Sequence, residues 1–153
     1  MSFDPRTVST PVYEALHKLR SQYDNFQELE KYKAHLQEHK SQAVQLYSYI
    51  SSWGLMRLKG EEIALDKWTD TTPSFRERIE KSQEGRREVI ETFFQCLQKV
   101  SKVNNLAEEV GLATLKNMKH SQYLGLTGLA LALAKEFSFW ADAVYHDIKA
   151  GES

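Results

Sequence analysis

The chain of 153 residues is 41% hydrophobic and 27% charged, as is typical of a globular domain, and we expect one domain over residues 1–153. Its 20 basic and 21 acidic residues give a formal net charge of −1. This balance excludes a global field that would recruit nucleic acid or anionic lipid, so any polyanion site has to be a local patch. The single cysteine, Cys96, excludes an internal disulfide and a cysteine-based zinc site within one chain.

The N-terminal segment lacks the basic and apolar regions of a signal peptide. We therefore expect a cytoplasmic protein in which residues 1–9 form a flexible tail. Thr10 and Pro11 are typical of an N-cap and a first helical position, which predicts a short helix to about Arg20.

Apolar residues recur at helical spacing from about residue 25 to residue 58, which predicts a long second helix. Gly54 is a candidate interruption of this helix and Gly60 a candidate end. Residues 61–72 then have the composition of a connector that contains one helical turn.

Thr72 and Pro73 give a second helix-start signal, and the apolar pattern after them predicts a helix reaching Val103. A shorter helix is expected over residues 106–117, and a last helix follows it. Strand-like runs are absent and the connectors are short. The sequence therefore predicts an all-α fold, a single antiparallel bundle of four to five helices.

The sharpest signal for an enzyme is the sequence HLQEH, which matches the inverted zincin motif H-x-x-E-H. His35 and His39 share a helix face and could bind zinc, with Glu38 as the general base and Glu108 or Glu109 as a further ligand. The flanking lysines, glutamates and glutamines are instead typical of a solvated face. We expect the solvated face, with no catalytic residue, no metal and no cofactor. Replacing both histidines by alanine should then change stability by at most about 0.5 kcal/mol.

The third predicted helix carries an acidic sector, interpreted as a solvated face or as a surface for a basic partner: Glu77, Glu80, Glu84, Glu88 and Glu91. Arg86 falls instead on the apolar stripe of the same helix. Its long side chain either extends to solvent from there or points at an anion or another subunit.

Two small basic clusters lie at helix junctions. Arg57 and Lys59 end the second predicted helix, and Lys116, Lys119 and His120 precede the last one. Polar side chains and an aromatic ring surround the second cluster. These residue types bind sugar-phosphate backbones, so both clusters and Arg86 are candidate RNA-backbone contacts, with solvated loop residues as the alternative.

The last predicted helix is uncharged from residue 124 to residue 134. This run is about half of the roughly 20 residues that span a bilayer, so no membrane contact is expected. The predicted core stripe of this helix is Tyr123, Leu126, Ala130, Leu133, Phe137, Ala141, Val144 and Ile148. Gly125, Gly128 and Ala132 lie roughly opposite it. Each interior glycine costs about 1 kcal/mol in a helix. Close approach of another backbone would compensate, either within the domain or in a second copy, and we take these three residues as a candidate subunit interface.

The last predicted helix carries a distinctive set of aromatic, small and apolar positions: Tyr123, Thr127, Ala130, Leu131, Ala134, Trp140 and Ala141. In these positions it resembles the last helix of the small helical subunit of type III-B (Cmr) CRISPR effector complexes. A second similarity is the pattern Ile50, Gly54, Leu55, which marks a helix end in that family. The two stretches cover about a third of the chain.

The resemblance implies a non-catalytic subunit whose copies stack head to tail along a ribonucleoprotein. Its expected partners are the other effector subunits, further copies of itself, and the guide and target RNA, held by backbone contacts without base readout. A homo-oligomeric helical scaffold or adaptor unrelated to nucleic acid is the alternative, and a zinc-dependent hydrolase using His35, Glu38 and His39 is a remote one.

Overall fold

The structure is a computed structural model that describes residues 6–65 and 74–149. Over these residues the chain holds seven α-helices, one 3-10 turn at Asp24–Phe26 and no strand. The predicted all-helical class is therefore confirmed for the described residues. The helices are α1 (Arg6–Ser21), α2 (Tyr32–Trp53), α3 (Leu55–Leu65), α4 (Phe75–Ile79), α5 (Glu84–Ser101), α6 (Gly111–Lys116) and α7 (His120–Val144).

The first helix begins earlier than the capping signal predicted. It starts at Arg6, so residues 6–9, expected in a tail, are helical, and Pro11 lies inside the helix. Residues 1–5 lie outside the described part of the chain. The helix is explained by its apolar spacing, which buries one side chain in each turn: Val8, Val12, Leu16 and Leu19.

The second predicted helix is divided. Gly54 has φ of +91°, a conformation that L side chains rarely adopt, and it separates α2 from α3 as expected. Gly60 is not a helix end, because it lies inside α3, which continues to Leu65. The expected connector is thus helical over its first five positions, and its remainder lies outside the described residues.

The helix predicted to reach Val103 is also divided. Ser74 is the N-cap of α4, accepting a hydrogen bond from the Glu77 backbone N–H at 3.2 Å. The chain then turns through Gln83, whose φ is 73°, before α5 begins. The signal at Thr72 and Pro73 falls outside the described residues.

The core lies where α1, α2, α5 and α7 meet. Helix α7 packs against α2 and α1, α5 packs against α2 and α1, and α3 packs against α5 and α6. The predicted core stripe of α7 is confirmed at the positions that are buried: Leu126, Ala130, Leu133, Phe137, Ala141 and, beyond the helix end, Ile148. In residues 6–65 and 74–149, no helix combines the length and the apolar character required to cross a membrane.

Candidate nucleic-acid interface

The histidines of the HLQEH motif lie in the core, contrary to the expected solvated face. His35 is 1% exposed and His39 is fully buried. The face that they occupy is covered by α5 and by the segment that follows α7. Polar residues on this face had suggested solvent, but they instead pair with polar groups of the neighbouring elements.

His39 connects two buried groups from distant parts of the chain. Its Nε2 lies 3.1 Å from Oε1 of Glu88, and its Nδ1 lies 2.9 Å from the Tyr145 hydroxyl. Since a carboxylate only accepts, Nε2 donates to Glu88 and Nδ1 accepts from Tyr145. Burial raises the pKa of Glu88, but donation from His39 and Tyr23 and the charge of Arg78 outweigh burial and lower it.

His35 extends the same network. Its Nε2 donates to the Lys81 carbonyl oxygen at 3.0 Å, and its Nδ1 lies 3.0 Å from the Tyr23 hydroxyl. The Tyr23 hydroxyl donates its single proton to Oε1 of Glu88. Burial lowers the pKa of His35, because the charged imidazolium is disfavoured in the core.

Glu38, the remaining motif residue, fixes the start of α5. Its carboxylate accepts hydrogen bonds from the backbone N–H groups of Gln83 at 2.9 Å and of Gly85 at 3.1 Å. A Cβ at Gly85 would lie 2.8 Å from the His35 carbonyl oxygen and 2.8 Å from Oε1 of Glu38. Helices α2 and α5 therefore approach closely here, and all three motif side chains contribute to that packing.

The acidic sector is likewise not a continuous solvated face. Glu84 is 1% exposed and Glu88 5% exposed, and Glu84 accepts a hydrogen bond from Arg87 Nη2 at 2.7 Å. Within the described ranges, no three histidine, cysteine, aspartate or glutamate side chains converge as a metal site would require.

A cavity of about 580 Å³ lies between α1 and α5, lined in part by Cys96, Glu88 and Arg87. Burial raises the pKa of the Cys96 thiol to about 12. A thiol with that pKa is protonated at neutral pH and is a poor nucleophile.

Two of the candidate RNA contacts are engaged inside the protein. Lys59 is 1% exposed, donates to Oε1 of Glu62 at 2.8 Å and lies over the Phe94 ring. Arg86 donates to Glu61 Oε1 at 2.9 Å and to Gln42 Oε1 at 2.6 Å. Arg86 therefore links α5 to α2 and α3, and Lys59 lies between α3 and α5. Neither cation is available to an external phosphate without breaking those bonds.

The other four candidates, Arg57, Lys116, Lys119 and His120, are exposed. Arg57 lines an open cleft of about 590 Å³ together with Leu112 of α6 and Tyr123 of α7. We call it the α3–α7 cleft. Its lining residues are Trp53, Met56, Arg57, Gly60, Glu61, Leu112 and Tyr123.

The cleft is held by a contact between residues far apart in sequence. The Tyr123 hydroxyl accepts a hydrogen bond from the Met56 backbone N–H at 3.0 Å, which ties the start of α7 to the start of α3. Lys116 follows Leu112 by one helical turn and Lys119 precedes Tyr123 by one turn. Both exposed lysines are thus close in sequence to residues that line the cleft, and neither is itself part of the lining.

An aromatic ring stands at the other edge. Trp53 is 58% exposed, and the Arg57 guanidinium lies over its ring, 4.3 Å from the centroid. Sequence reasoning treated Trp53 as an apolar position of a long helix and did not assign it to the site. The available signal was the spacing of Trp53 and Arg57 on either side of the helix-breaking Gly54.

The first turn of α7 adds backbone N–H groups beside the basic residues of the α6–α7 junction. Its N-cap residue, Lys119, has extended backbone and makes no side-chain capping bond. The backbone N–H groups of that turn are thus uncapped by a side chain, and a helix N-terminus in this state favours an anion.

The predicted interface residues Gly125, Gly128 and Ala132 lie on an exposed face of α7. A Cβ at either glycine would meet nothing within 4 Å among the described residues. The close backbone contact expected within the domain is therefore absent there. The same face carries Leu124, 56% exposed, and Phe139, 63% exposed, at its two ends.

Comparisons of the chain with protein-family models, with curated proteins and with solved structures gave no match.

Proposed function

We propose that this protein is a non-catalytic, cytoplasmic subunit of an RNA-guided CRISPR effector ribonucleoprotein, built as an antiparallel helical bundle and similar in role to the small subunit of type III-B complexes. In this proposal it contacts the backbone of guide or target RNA at the α3–α7 cleft. The single observation that carries the proposal is the open cleft that Arg57 lines together with Leu112 and Tyr123, each of which is four residues in sequence from an exposed lysine, Lys116 or Lys119.

Phosphate contact at this cleft follows from charge and from local backbone geometry. Lys116 and Lys119 are exposed at the α6–α7 junction, where the N-cap residue of α7 makes no side-chain capping bond. Both features favour an anion, and neither reads a base. Binding by one copy is expected to be weak, because so few cations take part, and to strengthen when copies align along one RNA.

Self-association would use the α7 face that carries Gly125, Gly128 and Ala132. No charged residue lies between residues 124 and 134. The small residues of this stretch allow another surface to approach the helix closely. Copies joined through this face, together with the other effector subunits, would extend the cationic edge into a track.

The internal hydrogen bonds of the HLQEH motif support the non-catalytic assignment. His35, Glu38 and His39 each make hydrogen bonds that hold α2 to neighbouring elements. This arrangement accounts for the motif by packing alone, so we propose no metal, no cofactor and no reaction for it.

A homo-oligomeric scaffold unrelated to nucleic acid is the second candidate. The observation that favours it is the exposed apolar character of the α7 face at Leu124 and Phe139. Exposed apolar surface of this kind on a helix is typical of a protein contact. A scaffold would self-associate whether or not RNA is present.

The test is a charge reversal. The double variant Lys116→Glu and Lys119→Glu should keep the thermal midpoint of the wild type, because both side chains are exposed. Binding to a fluorescent single-stranded RNA, measured by anisotropy across a salt series, should weaken. The slope of log K against log salt should fall by roughly 0.7 for each phosphate that the variant no longer neutralises.

The matched control is Lys33→Glu with Lys149→Glu, which makes the same change of charge at exposed positions on other parts of the surface. It should bind RNA nearly as the wild type does. If both double variants bind equally well, or if the wild type binds no RNA at low salt while still self-associating, the scaffold is the better account.

A further inference from the structure

The α3–α7 cleft has a volume that contacts with an RNA backbone alone would leave unoccupied. Its volume of about 590 Å³ falls within the roughly 300–1,000 Å³ typical of pockets that hold small molecules. Its lining combines an indole, a phenol, a thioether and an isobutyl group with the guanidinium of Arg57. Phosphates require polar donors, whereas a concave apolar lining fits a flat, uncharged ring.

Trp53 is the side chain best placed to hold such a ring. Most of its surface is exposed, even though the Arg57 guanidinium lies over the ring. Packing within the folded chain therefore does not explain why a tryptophan occupies this position. The cation over the ring restrains the indole and adds a second planar group beside it. A restrained aromatic side chain next to a guanidinium is the arrangement on which unpaired bases stack.

The charges around the cleft favour a polyanion over a protein segment. Arg57 lines the cleft, and the exposed Lys116 and Lys119 are four residues in sequence from its lining residues Leu112 and Tyr123. The one carboxylate in the lining, Glu61, is paired with Arg86 at 2.9 Å, so its charge is balanced within the protein. An apolar cleft with cationic edges matches a ligand that alternates flat apolar rings with phosphates.

We propose that the α3–α7 cleft binds one unpaired base of a single-stranded RNA, stacked on Trp53, while the adjoining phosphates lie along Lys116 and Lys119. This inference rests on the proposed RNA contact and adds a base-binding pocket to it. The stacking is sequence-tolerant, because every base presents a π-face. The protein would thus extract one base from the stack of the bound strand and fix the register of each copy on that strand.

The test uses the full chain, fluorescent single-stranded oligoadenosine, and an oligonucleotide of the same length and charge with abasic positions. Trp53→Ala should raise Kd for oligoadenosine by roughly 5- to 150-fold, as expected when one base–aromatic stack is removed. Trp53→Phe should recover most of that affinity. Tyr13→Ala, which removes an exposed aromatic side chain from α1, outside both the cleft lining and the α7 face, should leave Kd unchanged.

The abasic oligonucleotide separates this proposal from backbone binding. The wild type should bind it about as weakly as Trp53→Ala binds oligoadenosine, and Trp53→Ala should weaken abasic binding little further. Thermal midpoints of Trp53→Ala and the wild type should agree, because the indole is exposed.

Three outcomes overturn the proposal. If Trp53→Ala and the abasic oligonucleotide bind normally while the Lys116 and Lys119 reversal does not, the RNA-backbone contact stands and the base pocket is wrong. If Trp53→Ala changes the oligomeric state in sedimentation but not RNA affinity, the cleft holds protein. If the wild type binds no RNA at low salt, the base pocket and the proposed function fail together.

Discussion

Replacing His39 by alanine is the most informative perturbation of the core. His39 is fully buried and bonds to two other buried groups, Glu88 at 3.1 Å and Tyr145 at 2.9 Å. Alanine leaves both without that partner. Each buried polar group deprived of its hydrogen bond costs about 1–3 kcal/mol, and the vacated volume adds a cavity contribution.

We therefore expect the free energy of unfolding to fall by about 3–5 kcal/mol, a large part of the 5–15 kcal/mol typical of a domain. The expectation from sequence, a surface effect of at most about 0.5 kcal/mol, does not hold for a buried residue. Urea denaturation followed by circular dichroism at 222 nm measures this quantity, and an unchanged m-value would show that the same surface is exposed on unfolding.

His17→Ala is the matched control, because His17 is exposed on α1. It should change the free energy of unfolding by less than about 0.5 kcal/mol. A decrease below about 1 kcal/mol for His39→Ala, at constant m-value, would refute the buried network, since one unsatisfied partner alone costs that much.

Two further predictions concern the same core. Gly85→Ala should destabilise the protein, since its Cβ would lie 2.8 Å from a backbone oxygen, whereas Gly60→Ala, whose Cβ would meet nothing within 4 Å, should raise the free energy of unfolding by about 0.5–1 kcal/mol. Paired urea titrations measure both, and equal signs would contradict the close α2–α5 approach. Because burial holds the pKa of His35 below its ordinary 6.5, the unfolded chain takes up a proton first as pH falls. The free energy of unfolding should therefore decrease from pH 7.5 to pH 5.5, and His35→Gln should flatten that slope; a rise on acidification would show that His35 is protonated in the folded state.

The helical class and the core face of α7 could be predicted from the order of residues alone. Both follow from the spacing of apolar residues along the chain, which is a local property. Residues such as Leu126, Leu133 and Phe137 could be assigned to the core because an apolar side chain on a helical stripe has few alternatives to burial. The helix break at Gly54 could also be predicted from the sequence, since only glycine adopts this backbone conformation without strain.

The positions of polar and charged side chains depend instead on how the helices pack. A histidine or glutamate on a helix face is stable in solvent, and it is stable in the core when partners from other elements satisfy it. His39 needs Glu88 and Tyr145, 49 and 106 residues away, and nothing near His39 in sequence indicates either.

The packing of the helices also decides which basic residues are buried and which are exposed. Arg57 and Lys59 are two positions apart in sequence. The Lys59 side chain contacts Glu62 and the Phe94 ring in the core, whereas the Arg57 side chain lines an open cleft. The break before α5 depends on Glu38, 45 residues from the Gln83 backbone that it caps. The cleft itself exists because Tyr123 reaches the Met56 backbone across 67 residues, a contact that local sequence patterns do not encode.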